Sequence, residues 1–281
     1  MTPGPSPGHT AGGDGAARPV VSELTPSSPE PAARRRAPRP TLPPEPASSL
    51  DAVFAPVRSQ TAFEETVERL GTAIKLGLLP PGARLPAERE LCSMLGIARS
   101  TLRQALIALG QSGHLHALRG RGGGTFVADS PPLTSPPSPD VLAHWREVCD
   151  ERMVIEVGIA VLAAERAQPE LLDALDRLVV EIDGLLDDYP SQRQADIHLH
   201  VGLAEATGSA RLVTALTETQ GLMSDLIALI PHPPEVLASS NVQHRRLLAA
   251  VRRHDEAAAA REMAAHLRGT EHILAGFLPR T

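Results

Sequence analysis

The chain has 281 residues, a formal net charge of −6 at pH 7 and 42% hydrophobic residues, a length that allows one or two domains with a substantial core. Its two cysteines, Cys92 and Cys149, are too few for a disulfide framework and fit a reducing cytosol. No apolar run approaches the roughly 18 residues of a membrane span, and the N-terminus lacks the order of a signal peptide. We therefore expect a soluble cytoplasmic protein with no membrane partner.

The charge is distributed unevenly along the chain. Residues 58–127 contain nine Lys and Arg against five Asp and Glu, whereas residues 141–281 contain thirteen against twenty-one. A basic segment joined to an acidic one indicates that only the first contacts a polyanion. The acidic total therefore does not argue against nucleic-acid binding.

Composition divides the chain into four parts. Residues 1–56 are rich in Pro, Ala, Gly and Ser and cannot bury enough apolar surface to offset their ordering entropy, so this extension is predicted to be disordered. Residues 57–128 are predicted to form a first domain and residues 141–281 a second. The segment between them, residues 129–140 (DSPPLTSPPSPD), is predicted to be a proline-rich linker.

The first domain has the order of a winged helix-turn-helix. Helical and strand periodicities with glycine and proline breaks predict three helices and two short strands, over residues 61–77, 86–95, 99–111, 114–118 and 125–128. The glycine-rich sequence RGRGGG joins the two strands. This order places the third helix in a DNA major groove with a basic loop beside it.

The third predicted helix carries the candidate base contacts. Arg99 and Arg103 are four residues apart and project from one face, where an arginine can bind guanine O6 and N7 together. Ser100 and Thr101 lie beside them and are typical phosphate contacts, which fix register without reading sequence. The alternative is a solvated face on which the arginines pair with the glutamates of the second helix.

Two further regions supply candidate contacts. Arg89, near the middle of the second predicted helix, is a candidate contact to the DNA backbone or to a base. Arg121 and Gly122 lie in the glycine-rich loop, where the absence of side chains allows close approach to the minor groove or to phosphates.

Three segments of this domain resemble the DNA-binding domain of GntR-type bacterial transcription regulators: LPAERE, GIARSTLRQAL and GRGGGTFV. The resemblance implies DNA-contacting roles for the residues named above, namely Arg89, Arg99, Ser100, Thr101, Arg103 and the wing tip at about Gly122. Two positions depart from the family pattern. Ala98 stands where Ser or Thr is common, which removes a phosphate contact, and Gln104 stands where Glu is common, which alters a packing or charge interaction.

The second domain is predicted to be helical throughout, because no strand-like alternation appears between its proline and glycine breaks. Six helices are expected, over residues 141–167, 169–187, 191–207, 209–229, 234–254 and 255–278. The fold class is therefore mostly α: an N-terminal winged helix-turn-helix with an α/β wing, followed by a C-terminal all-α helical bundle.

Four residues of the second domain form a candidate metal site. Asp196 and His200 are four residues apart and share a helical face, whereas His244 and His266 lie in the last two predicted helices. One carboxylate and three imidazoles suit a borderline divalent metal such as Zn, Ni or Mn, with positions open for a ligand or water. Spacing alone favours ordinary core or surface histidines, because the chain contains eleven of them.

The second domain also resembles a known module, the FCD effector domain of the FadR-like branch of GntR regulators. The matching segments are RMVIEVGIAVLAAERA, DIHLH, EATGSARL and those around the two later histidines. The resemblance implies that the four residues above are metal ligands and that a small carboxylate metabolite completes the coordination. It also implies that Arg152 faces the pocket and pairs with this anion; a salt bridge between Arg152 and Glu156 is an equal alternative.

These observations predict a ligand-responsive transcription regulator, not an enzyme. A homodimer, a repressor in the bacterial cytosol or nucleoid, is expected to bind a palindromic operator in double-stranded DNA. The metabolite would shift the population of dimer arrangements that fit the operator. Three alternatives stay open: a metal-free domain that binds acyl-CoA, a metal-dependent hydrolase, and an architectural DNA-binding protein whose helical half only dimerises.

Overall fold

The computed structural model describes residues 61–133 and 136–279. The extension predicted to be disordered, residues 1–56, lies outside the described residues, as do two residues of the predicted linker. The described N-terminal half contains α1 (Ala62–Lys75), α2 (Glu88–Leu95), α3 (Arg99–Gln111), β1 (Leu115–Leu118) and β2 (Gly124–Val127). The two strands pair antiparallel, from Leu115 opposite Val127 to Leu118 opposite Gly124.

Local signals account for the limits of the first helices. Thr61 caps α1 through a capping box with Glu64, in which each side chain bonds the other residue's backbone N–H. Gly96 ends α2 in the left-handed conformation, with φ +67°, where a residue lacking Cβ is favoured. The turn to α3 is therefore tight, as a helix-turn-helix requires.

The helical C-terminal half contains α4 (Pro139–Ala143), α5 (Trp145–Arg166), α6 (Pro169–Asp183), α7 (Tyr189–Ala206), α8 (Ala210–Ile227), α9 (Pro234–Arg252) and α10 (Glu256–Phe277). Helix α5 packs against α7, α8, α9 and α10, so it occupies the middle of the bundle. The predicted fold class, a mostly α chain with a winged helix-turn-helix and a helical bundle, is confirmed.

Several predicted helix limits are wrong. The single helix expected over 141–167 is divided at His144, whose φ of −117° and ψ of 24° interrupt it. A helical turn begins at Pro139, inside the predicted linker, because the Ser138 side chain accepts a hydrogen bond from the backbone N–H of Val141. In the first half, α2 begins at Glu88 rather than residue 86, because Ala87 is extended with ψ 146°.

The N-terminal half and the helical bundle touch through α1 and α8. Lys75 Nζ lies 2.9 Å and 3.0 Å from the two carboxylate oxygens of Asp225. Leu76, directly after α1, is fully buried in the core of the helical bundle. Gly221 permits the close approach, because a Cβ there would lie 3.1 Å from Cγ2 of Thr72. A charged and apolar contact therefore joins the two halves.

Within the described ranges, no helix is both long and apolar enough to cross a membrane.

Candidate metal centre and nucleic-acid interface

The four predicted metal ligands come together in the interior of the helical bundle. Helix α7 supplies Asp196 and His200, α9 supplies His244, and α10 supplies His266. One potential ligand atom from each lies within 4.8 Å of the others, and all four residues are buried. Helical periodicity brings the first two together, and packing of three helices brings the others to them.

Each imidazole is held through its Nδ1 atom by a neighbouring side chain. His200 Nδ1 contacts Glu156, His244 Nδ1 lies 3.3 Å from Oδ1 of Asn241, and His266 Nδ1 lies 3.2 Å from Oε1 of Gln243. Such outer contacts fix the orientation and tautomer of a metal-ligating histidine. They direct the Nε2 atoms away from these partners.

The Nε2 atoms of His200 and His244 are buried and have no hydrogen-bond partner among the described residues. A buried polar atom left unpaired is costly, so two of them side by side are suited to a further ligand. Both atoms face Asp196 Oδ1, at 4.0 Å and 3.4 Å respectively. The donor set therefore fits a divalent metal ion.

The second carboxylate oxygen of Asp196 is occupied by Arg193. Arg193 Nη1 donates to Asp196 Oδ2 at 2.6 Å, and its Nη2 donates to Gln220 at 2.9 Å and to Ser224 at 3.2 Å. This leaves Oδ1 as the oxygen that faces the imidazoles. The guanidinium fixes the carboxylate without competing for the donor atom.

The predicted alternative for Arg152, a salt bridge with Glu156, is present. Arg152 Nε donates to Glu156 Oε1 at 2.6 Å, and Gln220 Nε2 donates to the same oxygen at 2.9 Å. Arg152 also lines a cavity beside the metal ligands. One guanidinium thus orders the Glu156–His200 pair and also lies at the wall of the cavity.

Protonation states in the centre match those that a metal requires. Burial raises the pKa of Asp196, but His200, Arg193 and the other imidazoles outweigh it, and the net pKa is far below the ordinary value. Burial lowers the pKa of His244 to about 4, and burial with the neighbouring imidazoles lowers that of His266. At neutral pH Asp196 is therefore a carboxylate and the rings of His244 and His266 are neutral, the forms that bind divalent cations.

The cavity beside this centre has a volume of about 340 Å³. Asp196 and His266 contribute to its wall, together with the guanidinium groups of Arg152 and Arg193. Its size falls within the range of about 300–1,000 Å³ that is usual for small-molecule sites. The metal centre and the cavity therefore form one candidate ligand site.

Sequence reasoning missed the residues that hold the ligands in place. Arg193 precedes Asp196 by three residues and Asn241 precedes His244 by three, a spacing that places each pair on one helical face and offered a signal. Gln243 reaches His266 from a different helix, and no sequence spacing indicates that contact.

The candidate DNA contacts of α3 lie at its exposed N-terminal end. Arg99, Ser100 and Thr101 form its first turn, and Ala98 precedes it without a side-chain cap. Arg103 is exposed, and its Nε donates to Glu88 at 2.9 Å. The alternative of an arginine paired with a glutamate of α2 is therefore present at this residue. An exposed pair of this kind contributes little, about 0–1 kcal/mol, and can be exchanged for a contact to DNA.

The other candidate contacts flank α3. Arg89 lies in the first turn of α2 rather than near its middle, because that helix begins later than predicted. Arg121 and Gly122 are exposed in the loop between β1 and β2, and Gly122 has φ +86°. Arg84, which the sequence analysis did not single out, donates from Nη2 to the carbonyl of Gly123 at 2.7 Å and so supports the loop.

Comparison with known families identifies both halves. The model of bacterial regulatory proteins of the gntR family matches residues 63–127, and that of the FCD domain matches residues 147–269. The chain therefore belongs to the GntR family and carries an FCD domain. It is a sequence-specific DNA-binding transcription regulator.

Curated relatives agree with this assignment. A protein of Mycobacterium gastri, described as the HTH-type transcriptional regulator RmpR, is 38% identical over 159 residues, 53% of this chain and 56% of that protein. The Uxu operon transcriptional regulator of Escherichia coli K12 is 29% identical over 236 residues, 79% of this chain and 91% of that protein. Another protein of that strain, whose name connects it with an L-lactate dehydrogenase operon, is 29% identical over 221 residues, 73% of this chain and 83% of that protein.

Proposed function

We propose that the FCD domain binds a divalent metal ion together with a carboxylate-bearing metabolite, and that the metabolite alters operator binding. The ligands are Asp196, His200, His244 and His266, and the metal is Zn, Ni or Mn. The observation that carries the proposal is the pair of buried, unpartnered Nε2 atoms that face the free oxygen of Asp196. This arrangement favours the metal site over the metal-free acyl-CoA alternative.

The effector is proposed to enter the cavity of about 340 Å³ with its carboxylate toward the metal. Arg152 supports this orientation, because it lines the cavity and a guanidinium binds carboxylates in a planar, two-point geometry. The metal, when bound, supplies a Lewis acid for the carboxylate oxygens. A relative named for an L-lactate dehydrogenase operon also supports a carboxylic acid as signal.

The DNA-binding half is proposed to act in a homodimer on a palindromic operator, as a repressor. The exposed N-terminal turn of α3 enters the major groove, with Arg99 and Arg103 toward the bases and Ser100 and Thr101 toward phosphates. Arg89 and the loop at Arg121 and Gly122 contact the flanking DNA. Two-fold symmetry of the protein would then match the two-fold symmetry of the operator.

Metal analysis of the purified full-length protein tests the central part of this proposal. We expect one equivalent of a divalent metal per chain, which Asp196→Ala and His244→Ala abolish. His272→Ala, which changes an exposed histidine of α10, should leave the metal content unchanged. Full metal content in both substituted ligand positions would contradict the site. Operator binding by the native protein should then respond to a carboxylic acid only when the metal is present.

A further inference from the structure

The cavity beside the metal centre changes in character along the helices that form it. Its wall includes one residue seven positions from a metal ligand on each of three helices: Tyr189 on α7, Leu237 on α9 and Ile273 on α10. Seven residues correspond to two helical turns, so each of these side chains lies on the same face as its ligand and about 10 Å along the axis. The cavity therefore extends about 10 Å from the metal ligands to an apolar end.

Further aliphatic side chains enlarge this apolar end. Ile227 and Ile230, at the end of α8, line the cavity and are 7% and 6% exposed. With Tyr189 and Ile273 they belong to the hydrophobic cluster around Trp145. The aliphatic side chains of this wall are continuous with the protein core and offer no hydrogen bonds to water, whereas polar atoms at this end belong to Tyr189 and His232.

Positive charge is confined to the metal end of the cavity. Among the described residues, the cations that line the cavity are Arg152 and Arg193, which pair with Glu156 and Asp196 in the metal centre. The rim beyond carries Glu235, a negative charge. Burial lowers the pKa of His232, which stacks on Tyr189, so this ring adds no positive charge at neutral pH. A second carboxylate on the effector would meet no cation there.

We infer that the effector is a monocarboxylic acid with an aliphatic body that reaches the apolar end, about 10 Å from its metal-bound head. A three-carbon hydroxy acid has six non-hydrogen atoms. At roughly 30 Å³ for each of them, about the volume of one water molecule, it fills only about half of the cavity of about 340 Å³. The rest would hold water against an apolar wall. This inference rests on the proposed function and specifies the chemical class of its ligand.

A chain-length series on the metal-loaded, full-length protein tests the inference. We expect the affinity measured by calorimetry to rise about fourfold with each methylene from butanoate through hexanoate to octanoate, the factor that corresponds to about 0.8 kcal/mol per buried methylene. Lactate and the eight-carbon diacid suberate should bind more weakly than octanoate. Octan-1-ol, which lacks the carboxylate, should also bind more weakly, and its affinity should not depend on the metal.

Two variants test whether the alkyl chain of the acid lies at the apolar end of the cavity. Ile273→Ser should reduce octanoate affinity at least tenfold and leave butanoate affinity and metal content nearly unchanged, whereas Val180→Ser, at an exposed valine of α6, should change neither. Affinity that is flat with chain length, or tighter binding of lactate or suberate, overturns the aliphatic inference and leaves the proposed metal and carboxylate site standing. If none of these acids binds and the protein retains no metal, both the aliphatic inference and the proposed metal and carboxylate site are overturned. The series on the native protein decides the matter even if Ile273→Ser does not fold.

Discussion

The two halves of the chain place their functional charges in opposite surroundings. In the DNA-binding half, Arg103 is 63% exposed and pairs with an exposed glutamate, whereas in the helical bundle Arg152 and Glu156 are 3% and 1% exposed. Charges in water interact weakly and exchange partners readily, but buried charges must be fully paired because their desolvation is costly. Substitutions of charged residues in the DNA-binding half should therefore weaken DNA binding and leave stability nearly unchanged. In the helical bundle they should reduce both stability and ligand binding.

The largest effect is expected at Glu156. Glu156→Ala leaves Arg152 buried without its carboxylate and removes the partner of His200 Nδ1, so the free energy of unfolding should fall by about 3–5 kcal/mol. Urea denaturation measures the change. Glu165→Ala, at an exposed glutamate of the same helix, should change it by less than about 0.5 kcal/mol. Equal effects at the two positions would show that the buried contacts of Glu156 with Arg152 and His200 stabilise the fold no more than an exposed side chain does.

The second effect is a dependence of stability on pH. Burial lowers the pKa of His244 to about 4 in the folded protein, below the value of about 6.5 in the unfolded chain. The unfolded chain therefore takes up the proton first, and stability that is present above pH 6.5 is lost as the pH falls toward 4, by up to about 3 kcal/mol.

Chemical denaturation of the metal-free protein between pH 7 and 4 measures this loss. His244→Asn should reduce the loss and leave the part that comes from the buried His266, and His272→Asn, at an exposed position, should leave the profile unchanged. A native profile that is already flat over this range would contradict a neutral, buried His244.

The third effect concerns the contact between the halves. Lys75 and Asp225 are only 17% and 14% exposed, so Lys75→Ala should cost about 1.5–3 kcal/mol, the usual contribution of a hydrogen bond to a charged group. Arg69→Ala removes a half-exposed pair with Glu65 on the same helix and should cost less than about 1 kcal/mol. If the two variants unfold at the same urea concentration, the contact between the halves is not stabilising.

The smallest effect on stability is expected at Arg103, where the change should appear in DNA binding instead. Arg103→Ala should weaken binding to the cognate operator by about 1–3 kcal/mol if it reads a guanine, with little change in melting temperature. Fluorescence anisotropy with operator and random duplexes measures the difference. An equal loss on both duplexes would contradict base reading, and Arg177→Ala, at an exposed arginine of the bundle, should alter neither.

Much of the fold was predictable because its signals are local. The Arg99–Arg103 spacing, the glycine that ends α2 and the Asp196–His200 pair each depend on residues within one or two helical turns. The helix limits at His144 and Glu88 were missed because a single extended or interrupted residue ends a helix without changing the hydrophobic period.

The sequence by itself determined the elements, the family of both halves and the identity of the four candidate ligands. Tertiary structure alone decided that α7, α9 and α10 meet at those ligands, that Gln243 orients His266 across two helices, and that the cavity beyond is apolar. The physical reason is distance along the chain. Periodicity fixes which side chains share a helix face, but only packing between helices fixes which faces meet and what lies between them.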